Sequence, residues 1–265
     1  MIISAENVSF QYKGSEDLSL KKINIELSEN KIYLICGPTG SGKTTFIRAL
    51  NGLIPHFYPG MYYGYLKVNG IDTVDSTISK LSENVGMVFQ NPENQLFAMN
   101  VEREIAFGLE NLGYSREEIQ IRINKAIALL KLESIRYRPP YQLSGGEQQK
   151  VAIASLVAME PDVIVFDEPL SNLDPRSAEE IMHILVSLQK DHQKTLIIVE
   201  HRLEYVLPYV NDIILFNNGQ IIEMGPIAEV VEHDQLFSLG LDLPPLLLWF
   251  KKQQKLGILQ GPLPL

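Results

Sequence analysis

The sequence predicts an α/β protein: a parallel-sheet core with a β-rich layer beside it and an inserted α-helical subdomain. The expectation rests on three features. Apolar runs at 163–166, 196–199 and 213–216 are separated by helix-length segments, the rhythm of parallel strands buried on both faces. The first third alternates short strand-like runs with turn signals. From residue 91 onward the apolar spacing turns helical.

Taken in order, strands are expected at 2–10, 23–27, 32–35 and 65–68, the last followed by the turn pair Asn69-Gly70. A short helix is expected at 45–50. Val101, Ile105, Leu109 and Leu112 recur at near-fourfold spacing, as do Ile119, Ile123, Ile127 and Leu130. Ser115 and Glu118 have the form of a capping box, in which side chains satisfy free N–H groups at a helix start. The helical subdomain is therefore set at about 91–158. After Gly225 the pattern changes: Pro226 suits a first helical turn, and a second helix follows Pro245, with Leu246, Leu247, Trp249 and Phe250 expected to pack on the chain's own core, a subunit contact being the alternative. The division is a body of residues 1–225 and a helical tail of 226–265.

The 265 residues suffice for one large core with a small insertion, and two independent domains would be a tight fit. Apolar residues make up 45% of the chain, so a folded soluble body is expected, with disorder only at the C-terminal tip. A net charge of −9 argues against nucleic acid as a partner, because phosphate neutralisation calls for a basic face. The single cysteine, Cys36, lies in an apolar run and reads as a buried thiol in a reducing compartment. No stretch reaches the roughly 18 to 20 apolar residues that span a bilayer, and the N-terminus lacks the pattern of a signal peptide. His56, His183, His192 and His233 show no metal-like spacing.

The first chemical motif is GPTGSGKT: Gly37, Pro38, Thr39, Gly40, Ser41, Gly42, Lys43 and Thr44, with Thr45 opening the following helix. It stands between a strand and a helix, the context in which glycine-rich backbone N–H groups curl around phosphate oxygens and the helix start adds partial positive charge. Lys43 can reach the outer phosphates of a nucleotide and the Thr44 hydroxyl can ligate magnesium.

The second is VIVFDEP at 163–169. Four apolar residues bury a strand, and two acids emerge at its C-terminal end, where open α/β sheets bind ligands. Neighbouring side chains of a strand point oppositely, so the two serve different tasks: Asp167 holds magnesium and Glu168 polarises an attacking water. The third is LSGGEQQK at 143–150. Ser144 and Glu147 fit a capping box, while Gly145 and Gly146 remove side chains where a phosphate could approach the helix start, an unfavourable choice for a cap alone.

With these motifs in order, residues 1 to about 225 resemble the ATP-binding cassette (ABC) ATPases. The resemblance implies a P-loop NTPase core, a β-rich nucleotide-binding layer, ATP and Mg2+ as cofactors, and hydrolysis of ATP. It assigns Tyr12 to stacking on adenine, Gln90 to contact with magnesium and water, and the Ser171–Asp174 segment, including Asp174, to the dimer interface. His201 becomes the residue that contacts the γ-phosphate. It also implies that Ser144, Gly145, Gly146 and Glu147 of one subunit complete the ATP site of another, in a homodimer or a heterodimer with a related ATPase.

Within that family the chain is similar to the ATPase subunits of energy-coupling-factor (ECF) transporters, on VFQNPENQLF, EREIAFGLENLG, LSGGEQQ, SLGLDLPP and GLIPHFY. That similarity implies uptake of a vitamin or transition-metal ion, with a membrane scaffold (T-type) subunit and a substrate-binding membrane subunit as partners. The ATPase would sit on the cytoplasmic face of the cell membrane. Lys150, Asn172, Glu200 and Arg202 depart from the commonest forms of the family. A conventional importer or exporter ATPase is the alternative within transport; a role in DNA repair, chromosome organisation or translation is disfavoured by the single cassette and the lack of heptads.

Overall fold

The computed structural model describes residues 1–241, 243–256 and 258. The expected disorder at the C-terminal tip falls outside the described residues. Within them the strands run β1 (Ile3–Tyr12), β2 (Leu20–Leu27), β3 (Ile32–Cys36), β4 (Gly60–Val68), β5 (Ile71–Asp72), β6 (Val85–Val88), β7 (Val163–Asp167), β8 (Thr195–Val199), β9 (Asp212–Asn217) and β10 (Gln220–Pro226).

A six-stranded sheet has the order β10-β9-β3-β8-β7-β6, and all its pairings are parallel except that of β10 with β9. A four-stranded antiparallel sheet, β2-β1-β4-β5, lies beside it. Every residue of β3, β7 and β8 is buried. The period of two along a strand divides them between two apolar layers. Ile32, Leu34, Ile164, Phe166, Leu196 and Ile198 face a core shared with the long helices. Tyr33, Ile35, Val163, Val165, Ile197 and Val199 face the antiparallel sheet and the helix Lys43–Leu50. The isolated Cys36 thiol is buried, and burial pushes its pKa up to about 12.

Three helices, Val101–Asn111, Arg116–Leu130 and Gly145–Met159, pack on one another. Each begins at a polar cap that satisfies a free helical N–H: Asn100 accepts from Arg103, Ser115 from Glu118, and Ser144 from Glu147. Only half of the capping box expected at Ser115 forms, because the Glu118 carboxylate pairs with Arg122 at 2.8 Å instead. The first and third helices approach so closely that a Cβ at Gly108 would lie 2.7 Å from the Met159 sulfur.

Two expectations for the tail need correction. Pro226 ends β10 opposite Asp212 rather than lying in a helical turn; the strand is at a sheet edge, where a residue without N–H is tolerated. A short helix, Ile227–Val230, follows it. The helix after Pro245 is present as Pro245–Lys255 with that proline in its first turn, but only Leu247 is buried, with Phe250 packed against the core. Leu246, Leu248 and Trp249 are exposed.

Ile105 is fully buried on the inner face of the Val101–Asn111 helix, whereas Ile121 on the next helix is half exposed. Ile105→Ala is expected to lower unfolding stability by about 2–5 kcal/mol through cavity formation, and Ile121→Ala to stay within about 0.5 kcal/mol. Urea denaturation of the two variants checks the contrast.

Candidate functional site

The phosphate loop leaves β3 through Gly37, whose φ is 148° and where a Cβ would lie 2.1 Å from the Phe216 carbonyl oxygen. Gly42, at φ 103°, precedes the helix Lys43–Leu50, and a Cβ there would meet the Ser19 carbonyl oxygen at 2.6 Å. Both positions therefore exclude a side chain on conformation and on space. The Lys43 ammonium donates to the carbonyl oxygens of Gly37 at 2.7 Å and Pro38 at 2.9 Å. An ammonium has three donors, so one direction remains for a phosphate oxygen. Burial holds the Lys43 pKa below its ordinary value. Gly40, Ser41, Gly42, Lys43, Thr44, Thr45 and Ser19 line a cavity of about 220 Å³. The buried Ser41 hydroxyl has no protein partner, and Pro38 and Thr39 form the outer turn.

Beside the loop, the Tyr12 hydroxyl is 3.2 Å from Thr45 Oγ1, and its ring meets Phe10 and Tyr58 edge-on at centroid distances of 4.8 and 6.4 Å. The Arg48 guanidinium lies 4.5 Å from the Tyr58 ring centre. Arg48 also favours the ionised form of Asp167, a contribution to the site that the helical run 45–50 gave no motif to signal.

The two acids after β7 have unlike surroundings. Asp167 ends the strand and is buried; burial first, and the neighbouring Glu168 second, push its pKa from 3.8 up to about 6. Glu168 turns away in a left-handed conformation, φ 52°, while its N–H donates to the Val199 carbonyl at 2.8 Å. That turn, uncommon for a residue with a Cβ, brings its carboxylate to Gln90 and His201. Gln90 Nε2 donates to Glu168 Oε2 at 2.5 Å, and His201 Nε2 lies 3.3 Å from Oε1. Ser171 joins the cluster by donating to the carbonyl oxygens of Glu168 at 2.9 Å and Gln90 at 3.3 Å.

A divalent cation is chemically compatible with this setting. Thr44 offers a hydroxyl at the start of the helix, and Asp167 offers a carboxylate whose ionisation is opposed by burial and would be favoured by adjacent positive charge. Oxygen ligands of this kind suit magnesium.

Ser144 and Glu147 form the complete capping box: Glu147 Oε2 accepts from the Ser144 N–H and hydroxyl, each at 2.8 Å, and Ser144 Oγ accepts from the Glu147 N–H. The two glycines have different surroundings. A Cβ at Gly146 would lie 3.0 Å from Ser177 Oγ, whereas at Gly145 the nearest atom, Leu173 Cδ2, is 3.9 Å away. Asp174 caps the helix Pro175–Lys190, accepting from the Ser177 N–H at 3.1 Å and its hydroxyl at 2.5 Å. Gly145 lines a cavity of about 270 Å³ with Gln90, Ser171, Asn172 and Leu173, separate from that of the phosphate loop. A third cavity, about 520 Å³ and mostly apolar, lies between Arg122, Leu129, Val157 and Leu188 and shares no residue with either. Among the described residues there is no cluster of three or more potential metal-binding His, Cys, Asp or Glu side chains, and no helix is long and apolar enough to cross a membrane.

The family model described as ABC transporter matches residues 20–171. The Pyrococcus horikoshii protein PH1815, provisionally named an ABC transporter ATP-binding protein, is 44% identical over 244 residues, 92% of this chain and 86% of its own length. A similarly named protein of Methanosarcina mazei is 38% identical over 92% of this chain but only 42% of its own. Among solved structures, cbiO1 of Clostridium perfringens, described as part of the ABC transporter complex cbiONQ, aligns with TM-score 0.79 and 31% identity over 94% of this chain and 98% of its own. The cassette MJ0796, seen as a dimer bound to ADP and phosphate, aligns with TM-score 0.74 and 28% identity over 85% of this chain and 99% of its own. The chain belongs to the ABC transporter family as an ATP-binding subunit, and its activity is ATP hydrolysis coupled to transport.

Asp167 gives a pH signature. Its folded pKa lies above its unfolded value, so the native state binds the extra proton and stability falls as pH rises from about 4 to about 6. Asp167→Asn removes this dependence and should raise the melting temperature of the nucleotide-free protein at pH 8, with little difference below pH ~4. Melting curves across pH check it; equal slopes in the two proteins would contradict the assignment.

Proposed function

We propose that this chain is the ATPase subunit of an ECF-type transporter and works as a dimer, with itself or with a related ATPase, around two ATP. The observation that carries the catalytic reading is the convergence of Gln90 and His201 on the two oxygens of Glu168 at the exposed end of the sheet. Residues 1–225 form the ATPase body, with the helical subdomain at about 91–158, and 226–265 the tail.

Tyr12 stacks on adenine. The loop from Gly37 to Thr45 holds the phosphates, with Lys43 on the outer ones. Thr44 and Asp167, with Gln90 alongside, hold Mg2+, which supplies charge stabilisation when bound. Glu168 takes a proton from the water as its oxygen forms a bond to the γ-phosphorus and the bond to the ADP oxygen breaks. Gln90 and His201 fix the Glu168 carboxylate, and His201 contacts the γ-phosphate. Ser144, Gly145, Gly146 and Glu147 of the second subunit close the site, with Asp174 at the interface; that Gly145 lines a cavity apart from the phosphate loop supports a site shared between subunits.

Helices of a T-type membrane scaffold dock beside Gln90, and the scaffold carries the substrate-binding subunit for a vitamin or transition-metal ion. Phe89, Phe97, Met99 and Phe107 are exposed there, with the rings of Phe97 and Phe107 edge-on at 4.7 Å. The buried Glu104 carboxylate steadies the segment by accepting from the Phe97 and Ala98 N–H groups at 3.0 and 2.7 Å. The chain thereby associates peripherally with the cytoplasmic face of the membrane.

Affinity purification from detergent-solubilised native membranes, followed by mass spectrometry, tests the assembly. A scaffold-like protein and a small membrane-embedded binding protein are expected; a conventional permease would favour the other transport class, and solely soluble partners would overturn the transport assignment. Phe97→Ala should cut recovery of the membrane partner about tenfold, as for an aromatic anchor. Unchanged recovery and transport would remove this surface from the docking site.

Glu168→Gln should bind ATP, lose about 10²- to 10⁴-fold in turnover, and accumulate as an ATP-bound dimer by size-exclusion chromatography. Turnover near that of the unaltered protein would exclude Glu168 as the base.

A further inference from the structure

Glu200 follows the last residue of β8 and is only 2% exposed. Its Oε1 accepts from the N–H groups of His201 at 2.7 Å and Arg202 at 3.0 Å, and its Oε2 accepts from the Leu170 N–H at 3.1 Å. Arg202 completes the link from the other side: Nη1 donates to the carbonyl oxygens of Leu170 at 3.1 Å and Leu173 at 2.9 Å. Its guanidinium is braced 4.4 Å from the Tyr205 ring centre.

Two charged side chains thus join the backbone of 200–202 to that of 170–173. The first loop carries His201, and the second leads from Glu168 and Ser171 to Asp174. Bonds to ionised groups are stronger than neutral ones. Opening this link would leave a buried carboxylate short of donors, which is costly. The two loops are therefore constrained to shift together rather than to slide past each other.

We infer that Glu200 and Arg202 are positioning residues that fasten the 170–174 segment to the backbone of His201, so that displacement of that segment by a second subunit resets His201 against Glu168. The inference rests on the two-subunit reading above. Neither residue is required to touch nucleotide; both act through His201.

The test uses the full-length protein in its dimeric or transporter-assembled form and compares Glu200→Gln, Arg202→Lys and His201→Ala, singly and in pairs. Glu200→Gln keeps the shape but replaces one acceptor oxygen by a donor, and Arg202→Lys loses the planar fork. Each should lower kcat, by about tenfold and at least threefold respectively, while KM for ATP and directly measured ATP binding stay within about twofold; Glu200→Gln also lowers Tm, because its amide nitrogen faces a backbone N–H, whereas Arg202→Lys leaves Tm nearly unchanged. In the His201→Ala background either change should add less than twofold, because the group being positioned is gone.

Unchanged kcat in the single variants, or effects that multiply fully with His201→Ala, would overturn the inference. So would a kcat loss in Arg202→Lys that tracks a fall in its Tm. If Glu200→Gln does not fold, Arg202→Lys and its pair with His201→Ala carry the same comparison, since Arg202 is only half-buried. An unaltered protein that hydrolyses no ATP in any assembly would sink the two-subunit reading and the inference with it; normal hydrolysis with indifferent variants sinks the inference alone.

Discussion

The register of three parallel strands sets the position of almost everything else. Ile35 of β3 and Asp167 of β7 both pair with Val199 of β8. The next few residues on each strand are therefore delivered to one edge: Cys36 and Gly37 into the phosphate loop, Glu168, and Glu200 with His201. Because these strands are buried on both faces, a slip of one residue would move apolar side chains between layers and carry a functional residue out of line. The loops at this edge can be short because the ladder already brings their starts side by side.

That edge also concentrates unfavourable local features. Lys43 and Asp167 are charged groups resisted by burial, Glu168 has left-handed backbone, and the Ser41 hydroxyl is buried without a protein partner. A polyphosphate with a cation would address several of these together, placing negative charge by the ammonium and positive charge by the carboxylate. Glu200 differs from Asp167 although both are buried carboxylates near one strand edge. Its oxygens are already occupied by three backbone N–H groups, so its charge is used in holding the architecture.

The sequence made the buried strands legible because β3, β7, β8 and β9 are continuous apolar runs closed by recognisable turns. β6 and β10 escaped it for physical reasons. The four residues of β6 include a glycine, and β10 shows only a half-buried alternation at the sheet edge. The phosphate loop and the acidic pair were readable because spacing and residue type are dictated by chemistry. The contacts of Glu200 and Arg202 were not, since they depend on β8 lying next to β7 in space. The tail was legible in part: the apolar residues after Pro245 fit either the chain's own core or a subunit contact, and the helix buries Leu247 while turning Leu246 and Trp249 outward.

The same positions refine the reason for the paired glycines. As a sequence, Gly145 and Gly146 suggest close approach of phosphate to a helix start. In the fold, Gly146 is bare because the neighbouring helix stands against it, with Ser177 Oγ 3.0 Å from where its Cβ would be. Ser177 is bound by the Asp174 cap, Leu173 precedes that cap, and the Leu173 carbonyl accepts from Arg202. Arg202 and His201 share an oxygen of Glu200 through their N–H groups. A continuous set of contacts therefore runs from the start of the Gly145–Met159 helix to the backbone of His201. On the proposed two-subunit reading the ends of that path would belong to different ATP sites, and the path would link them through one chain. Steric closure at Gly146 and the cost of breaking the Glu200 and Arg202 bonds limit how far either end can move independently.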